Sequence, residues 1–129
     1  MARSPSSQPT EVELQILQVL WDRGPSTVRQ VHQALARRRE TGYSTTLRML
    51  QVMLGKRLVR RDESVRPQVY RAAKSRERTQ LQMLDNLTQK AFRGSAMRLV
   101  MQMVSAGRLS AEELAEIQRL IEAAKGEKR

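Results

Sequence analysis

"GYSTTLRMLQVM", residues 42–53, decides how the chain reads. Three hydroxyls, Ser44, Thr45 and Thr46, crowd the start of a helical pattern, and Arg48 is the only charge in an otherwise apolar run. One hydroxyl is enough to cap a helix, so three ask for a second role. With 3.6 residues per turn, Leu47, Leu50 and Leu54 fall on one side of a helix from Thr45 to about Lys56, with Tyr43 on the same side just before it. Thr45, Arg48, Met49, Val52 and Lys56 fall on the opposite side, with Thr46 on its flank. A plain solvated face does not set Met49 and Val52 beside threonines. A face laid in a DNA major groove does: hydroxyls reach phosphates and base edges, arginine pairs with guanine, and methyl-bearing side chains pack on thymine methyls. The free amides at the helix start suit a phosphate. Ser44 is therefore expected to cap the helix, and Thr45 and Thr46 to touch DNA. A capping cluster with no further role is the plainer alternative.

Upstream, "TEVE" (10–13) and "TVRQ" (27–30) are capping boxes, a hydroxyl followed three residues later by Glu or Gln, and each opens a helix. Leu14, Leu17, Leu20 and Trp21 form the stripe of the first helix, which "RGP" (23–25) ends. Val28, Val31 and Leu35 face inward from the second, which runs to about Arg39. Downstream the period changes. "LVRR" and "QVYR" are strand-like, and the polar "DESVRP" between them completes a hairpin signature with Arg66 at its tip. Three short helices followed by a hairpin is the order of a winged helix, over residues 10–73. Residues 1–9, rich in Ser, Pro and Gln, read as a disordered tail.

From Lys74 the pattern is helical again. Leu81, Leu84, Leu87, Ala91 and Phe92 mark one face, and Gly94 breaks it. "SAMRLVMQMVSA" is apolar on most sides, and a third capping box, "SAEE" from Ser110, opens a helix carrying Leu114, Ile117, Leu120, Ile121 and Ala124. A helix apolar most of the way round must be buried by something, and a segment this short buries little by itself. A second copy of the chain is the economical cover, with Leu99, Val100, Met103, Val104, Leu114, Ile117 and Ile121 at the dimer contact. The expected fold is mainly α: an N-terminal winged helix-turn-helix with a small β-hairpin wing, then an all-α dimerisation region over 74–129.

Composition narrows the chemistry. The net charge of +11 points to a polyanionic partner. Between Arg37 and Arg71 ten basic residues face three acidic ones, so seven of the eleven net charges sit around the candidate groove helix. With no cysteine and a single histidine, His32, there is no thiol chemistry and no basis for a zinc or iron site, so no metal or cofactor is expected. His32 reads as a helix-surface residue. "MARSPSSQPT" lacks a signal-peptide core, and no run approaches the length of a membrane span. The expectation is a cytoplasmic protein with no membrane insertion. No glycine-rich phosphate loop or evident carboxylate pair suggests an enzyme. The expected DNA-contacting set is Ser44, Thr45, Thr46, Arg48, Met49, Val52, Lys56 and Arg66.

The order and spacing of these stretches resemble the penicillinase-repressor family of bacterial regulators, the BlaI/MecI type, from about Thr10 to Ala124. "PTEVELQILQVLW" resembles its first helix, "YSTTLRMLQVM" its recognition helix, "LVRRDE" and "VYRA" its wing, and "AFRGSAMRLVMQMV" with "LSAEELAEIQRLIE" its dimerisation helices. The resemblance implies a homodimer that binds a double-stranded operator of dyad symmetry and represses transcription. It also implies relief by cleavage in the dimerisation region after a signal from a membrane sensor protease. Three departures stand out. Copper-responsive relatives carry a C-terminal cysteine cluster, which is absent here. Arg57 stands where the family usually has a glycine before the wing. The family's Asn-Phe cleavage pair has its nearest match in Gln102-Met103. The alternative is a winged helix serving protein contacts, with only non-specific affinity for DNA.

Overall fold

Reciprocal side-chain bonds fix where the helices start. In this computed structural model, which describes residues 8–127, the Thr10 hydroxyl accepts from the Glu13 amide (3.2 Å) and Glu13 Oε1 accepts from the Thr10 amide (2.9 Å). Thr27 and Gln30 repeat the arrangement, as do Ser110 and Glu113. The first box opens α1 (Glu11–Arg23), which Gly24 closes with φ +87° and an amide bond to the Leu20 carbonyl. A positive φ is cheap only for glycine. The second box opens α2 (Val28–Ala36), three residues shorter than the expected end near Arg39, because the amides of Arg38 and Arg39 both turn back to the Leu35 carbonyl. α3 spans Tyr43–Gly55.

The hairpin is present as β2 (Val59–Asp62) and β3 (Val69–Ala72), paired antiparallel with Val59 opposite Ala72 and Asp62 opposite Val69. A third strand, β1 (Ser26–Thr27), pairs antiparallel with β3 on its other edge, giving the order β1-β3-β2. Two residues are too few to show an alternation, so β1 leaves no trace in the sequence pattern. The order helix, strand, two helices and hairpin is that of a winged helix-turn-helix, with β2 and β3 as the wing.

One core holds these parts together. Ile16, Leu17 and Leu20 from α1, Val31 and Leu35 from α2, Leu50 and Met53 from α3, Val59 from β2 and Tyr70 from β3 form a buried cluster. Trp21 is only half-buried at its edge. Its indole N–H donates to the Lys74 carbonyl (3.0 Å), and the Arg76 guanidinium lies 5.6 Å over its ring. Arg76 also pairs with Asp22. These contacts fasten the start of α4 (Arg76–Ala91) to α1. Accordingly the first compact unit runs on to Met83, ten residues past the expected boundary at 73, and the second begins at Leu84. Of the expected N-terminal tail, residues 1–7 lie outside the described residues, and Pro9 is buried rather than loose.

The second unit contains the rest of α4, then α5 (Ala96–Ser105) and α6 (Ala111–Glu127). Arg93 and Gly94 at the end of α4, and Gly107 after α5, have positive φ, as expected for the breaks at the two glycines. Neither α5 nor α6 has a buried residue. Leu99 and Ile117 are half-buried, while Val100, Met103, Val104, Leu114 and Ile121 are exposed. Among the described residues no helix is long and apolar enough to cross a membrane.

Candidate nucleic-acid interface

The groove helix begins differently from its sequence reading. Gly42, in extended conformation, is the N-cap of α3, and no side chain caps it. Ser44 is therefore the second residue inside the helix, not its cap. The first intrahelical bond is made by the Thr46 amide to the Gly42 carbonyl (3.1 Å). The amides of Tyr43, Ser44 and Thr45 precede it and are left for an outside acceptor. Ser44 and Thr45 are both exposed.

Thr46 is not on the surface. It is fully buried, and its hydroxyl bonds the Gly42 carbonyl (3.3 Å) and His32 Nδ1 (3.2 Å). A hydroxyl has one proton to give, so with that proton on Gly42 it accepts from His32 Nδ1–H. The expected DNA contact at Thr46 is thus corrected: the residue locks the α3 start to α2. His32 is corrected with it, being half-buried and edge-on to the Tyr43 ring (centroids 5.7 Å apart, planes at 78°).

Burying Thr46 rotates the whole helix. Thr46, Leu50 and Met53 point inward, while Leu47 and Leu54 are half-buried at the side. The outward face carries Ser44, Arg48, Gln51 and Gly55, with Thr45 and Val52 beside them. Gln51 was missed by the sequence reading, which set the outward face about a fifth of a turn away. Its signal was the spacing 44-48-51-55 once Thr46 is set inside. Arg48 is exposed and makes no ion pair among the described residues. Met49 is half-buried against the core, so only part of it faces outward, whereas Val52 is 49% exposed.

Lys56 is also corrected. Its ammonium bonds Glu13 Oε1 at 2.7 Å, and the two side chains are only 16% and 7% exposed. Burial pushes the Glu13 carboxyl up, but the Lys56 hydrogen bond, then the Thr10 backbone amide and the Lys56 charge, outweigh it and hold the group below its ordinary value. Lys56 thus ties the end of α3 to the capping box of α1 and is not free for a phosphate.

The wing tip lies on the side of Tyr43. Arg66 is exposed in the loop between β2 and β3, and the Asp62 carboxylate accepts from the Ser64 amide (2.9 Å) to shape that loop. Arg66, Tyr43, Leu47, Gln51 and Arg29 line one cleft of about 450 Å³ between the wing, α3 and the start of α2. Ser44, Thr45, Arg48 and Val52 are thus exposed along α3, Arg66 meets the helix on the side of Gln51, Leu47 and Tyr43, and Thr46 and Lys56 are withdrawn from the surface.

Residues 9–123 match the penicillinase repressor family. The chain belongs to the penicillinase-repressor family. It is 32% identical over 113 residues to the transcriptional regulator BlaI of two Mycobacterium tuberculosis strains, CDC 1551 / Oshkosh and ATCC 25618 / H37Rv, covering 86% of this chain and 80% of each relative. This penicillinase-repressor chain is accordingly a BlaI-like transcriptional regulator and not an enzyme. Among solved structures, a MarR family regulator from Silicibacter pomeroyi DSS is similar with a TM-score of 0.44 and 20% identity, over 90% of this chain and 69% of that one. Bordetella bronchiseptica BpsR, described as regulated in DNA binding by 6-hydroxynicotinic acid, gives 0.46 and 17%, over 95% and 83%.

Proposed function

We propose that the protein is a dimeric repressor that lays α3 in the major groove of an operator with dyad symmetry. One observation carries this reading. The outward face of α3 presents Ser44, Thr45, Arg48, Gln51 and Val52 beside a wing tip bearing Arg66, and every one of these side chains is exposed. Arginine and glutamine read purine edges by paired hydrogen bonds, Val52 suits a thymine methyl, and the uncapped start of α3 suits a phosphate.

A second copy supplies the symmetry. Val100, Met103, Val104, Leu114 and Ile121 are each more than 40% exposed on helices with no buried residue. Apolar side chains gathered this way mark an interaction surface. Two copies joined there present two α3 helices, which requires an inverted repeat with half-sites about one helical turn, or a multiple, apart. The site of action is the cytoplasm, where that DNA is.

Relief by proteolysis is a separate part of the proposal, suggested by the family and made at Gln102-Met103 in place of the family's Asn-Phe pair. Gln102 and Met103 are exposed on α5, within the proposed dimer surface, and scission there removes the second copy. The pair lies inside a ten-residue helix, so a protease needs α5 to open locally. Cells in which a β-lactam switches on the regulated gene should contain the cut chain; an intact chain in induced cells overturns proteolytic relief.

The function is tested by selecting bound fragments of the source genome at physiological salt. Salt is fixed because phosphate contacts alone give non-specific binding that fades as salt rises. Enrichment of an inverted repeat is expected. Folded, dimeric protein that enriches no sequence overturns the operator reading in favour of a winged helix that contacts proteins.

A further inference from the structure

A second concentration of charge lies away from the outward face of α3. Arg57, which follows α3, Arg60 on β2, Lys74 before α4 and Arg78 on its first turn line one cleft of about 340 Å³. Leu54, Val59 and Ala73 complete its wall, and no carboxylate lines it. The four cations come from four different segments, so the fold, not a run of sequence, assembles them.

Nearby cations are partnered. Lys56 pairs with Glu13, Arg61 with Glu63 and Arg76 with Asp22. Arg57, Arg60, Lys74 and Arg78 have no ion pair among the described residues; the Lys74 ammonium meets only the neutral Gln82 amide (3.4 Å). Four like charges around one concavity repel one another, and the repulsion is relieved by a bound anion. The backbone adds a second sign. Arg57 has φ +63°, a conformation in which a glycine would sit without strain. An arginine is strained there, and such strain is a feature of working sites. A glycine would remove the strain and with it one of the four cations.

We infer that this cleft binds a phosphate group, held by the guanidinium groups of Arg57, Arg60 and Arg78 and the ammonium of Lys74. Arginine forks match phosphate oxygens in pairs, and a dianion meets a surplus of positive charge. The group comes either from a nucleic-acid strand or from a small phosphorylated molecule. The cleft lies where β2 follows α3 and shares no lining residue with the cleft of Tyr43, Gln51 and Arg66 at the wing tip.

The test uses the full chain and inorganic phosphate. Arginine Nε–H resonances are followed while sodium phosphate is added, with sodium chloride at equal ionic strength as reference. Saturable shifts at Arg57, Arg60 and Arg78 are expected, absent with chloride, and R60Q/R78Q should weaken binding by at least about fivefold. In the second arm, both proteins bind a random-sequence duplex across a salt series. A slope of log Kobs against log salt that is shallower in the variant by about 0.9 for each phosphate lost names the nucleic-acid strand as source. An unchanged slope beside lost phosphate binding names a small molecule. Phosphate shifts no larger than those of chloride, with an unchanged slope, overturn the inference. The first arm involves no DNA, so failure to find an operator leaves the cleft's result standing.

Discussion

Thr45 and Thr46 are neighbours in sequence and opposites in the fold. Thr45 is exposed; Thr46 is sealed inside by bonds to Gly42 and to His32, fourteen residues away. No local pattern separates them, because what permits a hydroxyl in a core is a distant partner. Lys56 teaches the same lesson, its partner Glu13 lying 43 residues earlier. That pair makes stability depend on pH. Since the Glu13 carboxyl is held below its ordinary 4.5 when folded, its contribution is fully present above that value and is lost as pH falls through the lower, folded one. Chemical denaturation at a series of pH values should show the wild type losing stability in that acid window, with a flatter dependence in Glu13→Gln. At the surface, Arg48→Ala should weaken operator binding by about 1–3 kcal/mol and relax preference at one base position. An unchanged sequence preference removes Arg48 from direct readout.

At the scale of elements, the sequence was most informative where the determining contacts are short-range. All three capping boxes are three-residue reciprocities and form as read. The wing was legible because β-branched and aromatic residues flank a polar loop. β1 was not, having only two residues, and the face of α3 came out rotated because Thr46 takes an inward place that Leu47 was expected to hold. The join between α3 and the wing is where element and residue conflict. Arg57 keeps a left-handed backbone. Arg57→Gly should therefore raise stability by up to about 1 kcal/mol, the lost strain being partly offset by a more flexible unfolded chain. Arg57→Val should lower it, because a branched side chain fits that conformation worst. Melting temperatures of the two variants should move in opposite directions.

For the whole molecule, the contrast between the two units is the main fact. The first has a closed core drawn from α1, α2, α3, β2 and β3. The second, for all its apolar residues, buries none on α5 or α6. The sequence announced this, since Met97 to Val104 are too apolar for one small helix to hide. If α5 and α6 form the proposed dimer contact, Val100→Glu should place a charge in it, halve the mass seen by sedimentation, and weaken operator binding, while the first unit keeps its fold. A variant that stays dimeric moves the interface elsewhere. The first unit, in turn, carries its own optical reporter. Trp21 is the only tryptophan in the chain, and its indole is clasped between the Lys74 carbonyl and the Arg76 guanidinium at the root of α4. Its emission therefore registers whether the helix leading to the second unit remains docked, so one unlabelled chain can show by colour alone whether an operator, or a second copy, tugs on that root.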